Sequence, residues 1–423
     1  MINFINNFYL KHNEIIHNFK WRALQICGKQ GMIFLIFIFC AKLLSPVGFG
    51  TYNYVMAIVM LLVMFGDFGI STATSKYVAE YNVTDKDKLK AVLFNSGIII
   101  FGLTVILTAI TLVFGQQYLG KYYVYVLYLL PIVFLSPVSS LYDGIYRGLK
   151  RFKQISIIST VTGLISLSST FFLVKEYGIV GALLTQDIFY LLLVVGSFLF
   201  YKEFHLKINK IVIKEIGKYS IAFGVATMGY YFFSELDILI LGHFGYIKEI
   251  ATYELLNKIF AIALVPFAII GQIISPDFTV MYVKKEFLRL KASYKQYLKN
   301  VAILSVLVSG VMFLALPIIF KLFFSNYYNN IFSAVFGLVV AIYALNFFNS
   351  PINAGIIVAT GHAKLMTYMN ILLAFFNFII CIIMIHLLGY IGVIYGTLFS
   401  SIIGTVILQV RFYFIMKNLD YHV

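Results

Sequence analysis

The sequence predicts an all-α polytopic membrane protein of twelve transmembrane helices in two six-helix halves, and three observations predict it. Hydrophobic residues fill 61% of the 423 positions and charged residues only 12%, with a mean hydropathy of +0.93. A soluble fold that apolar has too little polar surface to face water. Apolar runs of about 20 residues, the length a helix needs to cross the hydrocarbon core, recur along the whole chain. Basic residues gather in every second connector between those runs, as topology determinants do.

In order, the expected spans are 24–44, 50–73, 91–114, 123–144, 154–174, 178–201, 216–241, 250–275, 297–320, 331–350, 364–386 and 390–414. Residues 1–22 are mixed polar and charged, and the apolar stretch after them is too long for the core of a cleaved signal, so it reads as the first span. Tight turns at 176–178 and 387–389 join the fifth span to the sixth and the eleventh to the twelfth. The sizeable polar connectors are 202–215 and 276–296. Both fall on the side that carries the basic residues.

Orientation follows from Lys and Arg. The N-terminus and every second connector hold 25 of the 32, the opposite side holds Lys42, Lys121, Lys175, Lys248 and Lys321, and Lys29 and Lys258 fall inside spans. This asymmetry puts both termini in the cytoplasm. It also accounts for the net charge of +15 without nucleic acid, because no basic stripe interleaved with aromatics lies on a soluble domain.

The two halves resemble each other. Ser136-Pro137, Gly144, Gly148, Gly178-Ile-Val-Gly181 and Thr185 recur in order as Ser350-Pro351, Gly355, Gly361, Gly389-Tyr-Ile-Gly392 and Thr397. Gly50-Thr51-Tyr52 likewise recurs as Ala251-Thr252-Tyr253. Six spans per half start both halves on the same side, which makes the repeat parallel, an arrangement found in many transporters. The expected division is 1–201, a cytoplasmic linker at 202–215, and 216–423.

A charged residue at mid-membrane costs about 2.5–3.5 kcal/mol on insertion scales, so each needs a reason. Lys258 lies about 12 Å from the outer face and Asp187 about 14 Å, both near the midplane. Glu254 precedes Lys258 by four residues, on the same helix face and in the favourable order for an ion pair. The pair either neutralises itself between packed helices or presents Lys258 to an anion. Asp67, in Phe65-Gly66-Asp67-Phe68-Gly69, has Lys29 at similar depth, which either pairs with it or snorkels to the interface. Glu235 and Asp237 are two apart and cannot share a helix face. Asp143 and Arg147 form an i,i+4 structural pair.

Sequence signatures of enzymes are absent. The chain has no G-x-x-x-x-G-K-[ST] loop, no G-x-S-x-G, no H-E-x-x-H and no Cys/His cluster, which excludes ATP hydrolysis and the common hydrolase chemistries in this chain. Cys27, Cys40 and Cys381 are scattered in apolar segments and read as small buried hydrophobes. Asn82-Val-Thr84 matches a glycosylation sequon in a connector expected to be cytoplasmic. No bound cofactor is expected beyond a coupling Na+ or H+.

Residues 41–52, Ala-Lys-Leu-Leu-Ser-Pro-Val-Gly-Phe-Gly-Thr-Tyr, resemble the segment after the first span of Wzx-like O-antigen flippases of the multidrug/oligosaccharidyl-lipid/polysaccharide exporter superfamily. Lys42, Ser45 and Val47 depart from that motif's usual Arg, Gly and Glu. Gly66-Asp67-Phe68-Gly69-Ile70 is similar to the family's second-span motif, and Gly178-Ile-Val-Gly-Ala182 to its sixth-span entry. Asp237 to Gly242, Ala251-Thr252-Tyr253, Lys258, Pro266 and Pro276 are similar to the opening of its second half. The resemblance implies a V-shaped exporter-type bundle in a bacterial cytoplasmic (inner) membrane. The implied activity is flipping of an undecaprenyl-pyrophosphate-linked oligosaccharide to the outer leaflet by alternating access, as in lipopolysaccharide assembly. Its partners would be that lipid-linked oligosaccharide, membrane lipids, and glycan polymerase and assembly proteins. Lys258 and Lys29, with Glu254 and Asp187, are then the candidates for substrate contact, and Asp67, Glu235 and Asp237 for ion coupling or gating. The alternatives are a cation-coupled drug antiporter of the same superfamily and a membrane-embedded glycan polymerase or ligase. The last usually carries a large outer loop, which this sequence lacks.

Overall fold

The computed structural model describes residues 21, 24, 25, 28–201, 206–327 and 363–418. The expected tenth span 331–350, Ser350-Pro351, Gly355 and Gly361 lie outside the described residues. Every described segment that crosses lipid is helical, because an unpaired backbone amide has no partner in hydrocarbon. The helices are α1 (28–43), α2 (Pro46–Asp67), α3 (Ile70–Thr84), α4 (Lys86–Leu119), α5 (Tyr123–Tyr128) and α6 (Leu130–Gly148). They continue as α7 (Phe152–Tyr177), α8 (Ile179–Phe200), α9 (Lys210–His243), α10 (Ile247–Val283), α11 (Phe287–Phe323), α12 (Ala363–Leu388) and α13 (Tyr390–Asn418). Seven stretches of the described residues are long and apolar enough to cross a membrane, and α9, bent by 58° between Gly229 and Ser234, makes an eighth.

The expected second span is two helices. Phe68 (φ 34°) and Gly69 (φ 79°) break it between α2 and α3. A Cβ on Gly69 would lie 2.8 Å from the backbone of Gly224 and of Ser220 on α9, so this glycine serves both its left-handed backbone and a close helix approach. The break strands the first amides of α3, and Asp67 Oδ1 accepts from Ser71 N at 3.0 Å while Oδ2 accepts from Ser71 Oγ at 2.8 Å.

The connector expected at 276–296 is almost entirely helical. It narrows to three residues, Lys284–Glu286, with Lys285 in the left-handed region (φ 57°) and Glu286 N bonded to Met281 O. The turn after α6 repeats this geometry at Lys150 (φ 56°), where Arg151 N bonds to Tyr146 O. Polarity misled the sequence reading. At 37 residues, α11 is roughly 55 Å long, so its polar start remains helical beyond the hydrocarbon core. The linker expected at 202–215 is likewise helical from Lys210.

The inferred repeat has a geometric counterpart inside each half. Gly178 (φ 57°) and Gly389 (φ 65°) turn the α7–α8 and α12–α13 hairpins. A Cβ on Gly181 would sit 1.9 Å from Leu173 O, and one on Gly392 would sit 2.0 Å from Met384 O. Each G-x-x-G is therefore a turn glycine followed by a contact glycine.

The chain divides into two compact units, Met1–Met228 and Gly229–Val423, with the boundary inside α9. The first limb of α9 is tied into the first unit. Asn95 of α4 donates to Lys207 O at 3.0 Å and accepts from Asn209 N at 2.8 Å. Glu215 accepts from the Tyr81 hydroxyl and lies 3.7 Å from Lys88 Nζ. Lys76 Nζ lies 4.4 Å from the ring centres of both Tyr77 and Tyr219.

Candidate functional site

The second unit buries a carboxylate in a polar cage. Asp237 of α9 is 3% exposed. Its Oδ2 accepts from the Tyr253 hydroxyl of α10 and from Thr397 Oγ1 of α13 at 2.8 Å. Its Oδ1 lies 3.3 Å from Asn377 Nδ2 and 3.8 Å from Cys381 Sγ, both on α12. Thr397 Oγ1 also lies 3.1 Å from the Val393 carbonyl, and Cys381 Sγ lies 3.3 Å from Asn377 Oδ1. Three helices thus converge on one acid carried by a fourth. Two hydroxyls, an amide nitrogen and a thiol face the carboxylate, the donors that a buried acid needs. Among the described residues no group of three His, Cys, Asp or Glu could hold a metal.

The sequence had marked Asp237 and, as repeat features, Tyr253 and Thr397. It read Cys381 as a small hydrophobe. The thiol is buried, but it also faces the acid. Asn377 carried no sequence signal at all.

The repeat pairs the residues of this cage with positions in the first unit. An offset of 211 aligns Gly181 with Gly392 and sets Ser166, Thr170 and Gln186 against Asn377, Cys381 and Thr397, one residue from the Thr185–Thr397 match of the sequence pattern. An offset of 201 aligns Tyr52 with Tyr253 and sets Ile36 against Asp237. In the first unit Gln186 Nε2 donates to the Tyr52 hydroxyl at 2.8 Å, the counterpart of the meeting at Asp237. The position of the carboxylate holds a fully buried isoleucine.

A second charged group lies on α10. Lys258 Nζ is 3.5 Å from Glu254 Oε2, as the i,i+4 spacing expects. Glu254 is 7% exposed at its side chain while Lys258 is 43% exposed, so the acid is packed and the ammonium is presented. Glu235 of α9 interacts electrostatically with both. Glu235 and Asp237 point to separate groups, as their spacing requires.

The other charged residues singled out by the sequence lie in the first unit. Arg147 Nε bonds Asp143 Oδ2 at 2.9 Å, and Gln25 Nε2 bonds Asp143 Oδ1 at 2.6 Å. Asp67 is committed to Ser71, and the cation acting on it electrostatically is Arg147. Lys29 lies half-buried on α1. Asp187 of α8 has its Oδ1 buried without a hydrogen-bond partner among the described residues.

Comparison with known proteins places this arrangement. Residues 15–281 match the model of a family described as polysaccharide biosynthesis protein. The chain belongs to that family. An uncharacterised membrane protein of Methanocaldococcus jannaschii is 25% identical over 400 residues, covering 88% of this chain and 92% of the relative. A multidrug resistance MATE family transporter of the MOP superfamily, solved inward-facing, superposes with a TM-score of 0.80 at 13% identity, covering 95% of this chain and 99% of the other. A MOP-superfamily transporter from Pyrococcus furiosus superposes with a TM-score of 0.58 at 17% identity over 96% of each chain. The chain is thus a polytopic membrane protein of the polysaccharide biosynthesis family with the fold of MOP-superfamily transporters.

Proposed function

We propose that this transporter moves an undecaprenyl-pyrophosphate-linked oligosaccharide from the cytoplasmic to the outer leaflet, with Asp237 as the coupling-ion site. The observation that carries the reading is membership of a polysaccharide biosynthesis family, matched over residues 15–281. Lys258 supports it. An ammonium at span depth that pairs with packed Glu254 and is still 43% exposed offers charge to a diphosphate. Lys29, half-buried on α1 of the first unit, is the second cation of this reading. In this reading Glu254 and Glu235 hold Lys258 in place, and Asp67 fixes the α2–α3 break. The proposed setting is the cytoplasmic membrane with both termini inside, and glycan polymerase and assembly proteins are the partners the product would meet.

The test is deletion followed by leaflet-resolved assay of the lipid-linked oligosaccharide. Loss should trap it in the inner leaflet and remove surface glycan. Unchanged glycan with raised drug accumulation would instead establish the antiporter reading, which the 0.80 superposition on a multidrug transporter favours.

A further inference from the structure

Lysines and exposed apolar side chains gather where the first unit leads into α9. Leu206, Ile208 and Ile211 are 75%, 61% and 56% exposed, and Lys207, Lys210, Lys214 and Lys218 are exposed among them. The segment is not loose. Asn95 of α4 is fully buried and holds it by two bonds, donating to Lys207 O and accepting from Asn209 N. Asn209 Oδ1 in turn accepts from Ile211 N at 3.0 Å and from Val212 N at 3.3 Å, which caps the start of α9. Leu206 and Ile208 flank this pinned backbone, so their exposure is a fixed feature of the fold.

The depth of the segment decides what it meets. Asn95 is the fifth residue of the apolar run 91–114, about 6 Å inside it at the rise of a helix. Residues 207–209 are hydrogen-bonded at that level, where headgroups give way to acyl chains. Glu215 accepts from the Tyr81 hydroxyl and lies 3.7 Å from Lys88 Nζ, and Lys88 stands about two turns nearer the start of α4 than Asn95. The first turns of α9 therefore stay at the membrane boundary, at the end that the basic residues assign to the cytoplasm.

One face of α9 joins that boundary to the span. At 3.6 residues per turn, Lys210, Ile211, Lys214, Lys218, Ile221 and Val225 fill a single arc of about 100°, and all six are exposed. Val212, Ile216 and Ser220 fill the buried face. Ile221 and Val225 thus run without a break into three lysines, the order in which a helix meets hydrocarbon and then phosphate. A soluble partner cannot follow this face into the span. The charge is not neutralised within the segment. The one acid of residues 206–218 is Glu215, which is committed to Tyr81 and Lys88.

We infer that this face binds the anionic phospholipid headgroups of the leaflet on that side, with Leu206, Ile208 and Ile211 among the acyl chains and the four lysines on the phosphates. Segments of this composition hold a membrane by buried apolar area and by attraction to anionic lipid together. The apolar side chains set the depth, and the lysines select the charge of the lipid. The contact fastens the start of α9 to the leaflet as well as to α4. The inference does not rest on the identity of the transported substrate.

The test is quenching of an introduced tryptophan by brominated lipid. Trp21 is the single tryptophan of the chain, so Ile208→Trp in a Trp21→Phe background places one reporter on the surface. The full-length protein is reconstituted in phosphatidylcholine vesicles containing a quarter phosphatidylglycerol, with bromine on one lipid or on the other. Per brominated molecule, phosphatidylglycerol should quench more strongly than phosphatidylcholine. Lys210→Gln and Lys214→Gln should each reduce that preference by up to about fivefold. Salt at 1 M should remove it, because the Debye length there is about 3 Å. Quenching by brominated phosphatidylcholine should survive in both lysine variants, which reports that the segment is still in place. Equal quenching by the two lipids, a preference unchanged in both variants, or no quenching by either lipid would each overturn the proposal. So would loss of the preference on adding millimolar inorganic phosphate at constant ionic strength, which would assign the lysines to a free anion.

Discussion

Asp237 and Thr397 are 160 positions apart in the chain, and Thr397 Oγ1 lies 2.8 Å from the Asp237 carboxylate. With Tyr253 and Asn377 they make a site where polar groups of three helices meet an acid on a fourth. This relationship sets the first prediction.

If Asp237 binds the coupling sodium ion, NaCl at ten times its dissociation constant should stabilise the purified protein by about 1.4 kcal/mol. A melting curve should show that gain with sodium and not with potassium. Asp237→Asn should abolish it. A melting temperature that follows pH and ignores sodium would assign the site to a proton instead.

Lys258 and Glu254 are separable by a double substitution. If they only neutralise each other, Glu254→Gln with Lys258→Met should give a folded and active protein, since a buried pair is often replaceable by matched neutral groups. If Lys258 binds diphosphate, the double variant should express normally yet fail to transport. Lys258→Arg should then retain much of the activity, because a guanidinium still offers charge and donors. Full transport by the double variant would sink the anion assignment.

The contact glycines should be intolerant. Gly181→Ala and Gly392→Ala each drive a methyl to within 1.9–2.0 Å of a carbonyl oxygen, which should cost more than about 3 kcal/mol. Size-exclusion profiles should show loss of the monodisperse peak. Gly97→Ala, which meets nothing within 4 Å, is the matched control and should be silent or slightly stabilising.

Lys285 holds a backbone angle that favours glycine. Lys285→Gly should therefore raise stability by about 0.5–1 kcal/mol. Thermal denaturation showing a loss of that size would mean that the ammonium makes a contact worth more than the relieved strain.

Cysteines at Asn209 and Lys285, in the two connectors that carry the basic residues, should resist a membrane-impermeant thiol reagent in intact cells. They should react once the membrane is opened. Labelling from outside would reverse the proposed orientation.

The sequence by itself determined the helical membrane class, the repeat and the local pairs. Composition dictates lipid as solvent, and lipid dictates helices. The Gly178 and Gly389 turns were legible because a left-handed turn and a close carbonyl both demand glycine. Glu254–Lys258 and Asp143–Arg147 were legible because one helical turn fixes their distance. Tertiary structure alone decided what surrounds Asp237, since Tyr253, Asn377, Cys381 and Thr397 reach it from other helices and no local pattern encodes such a meeting. It also decided where connectors end, because a polar helix leaving the membrane has the composition of a loop.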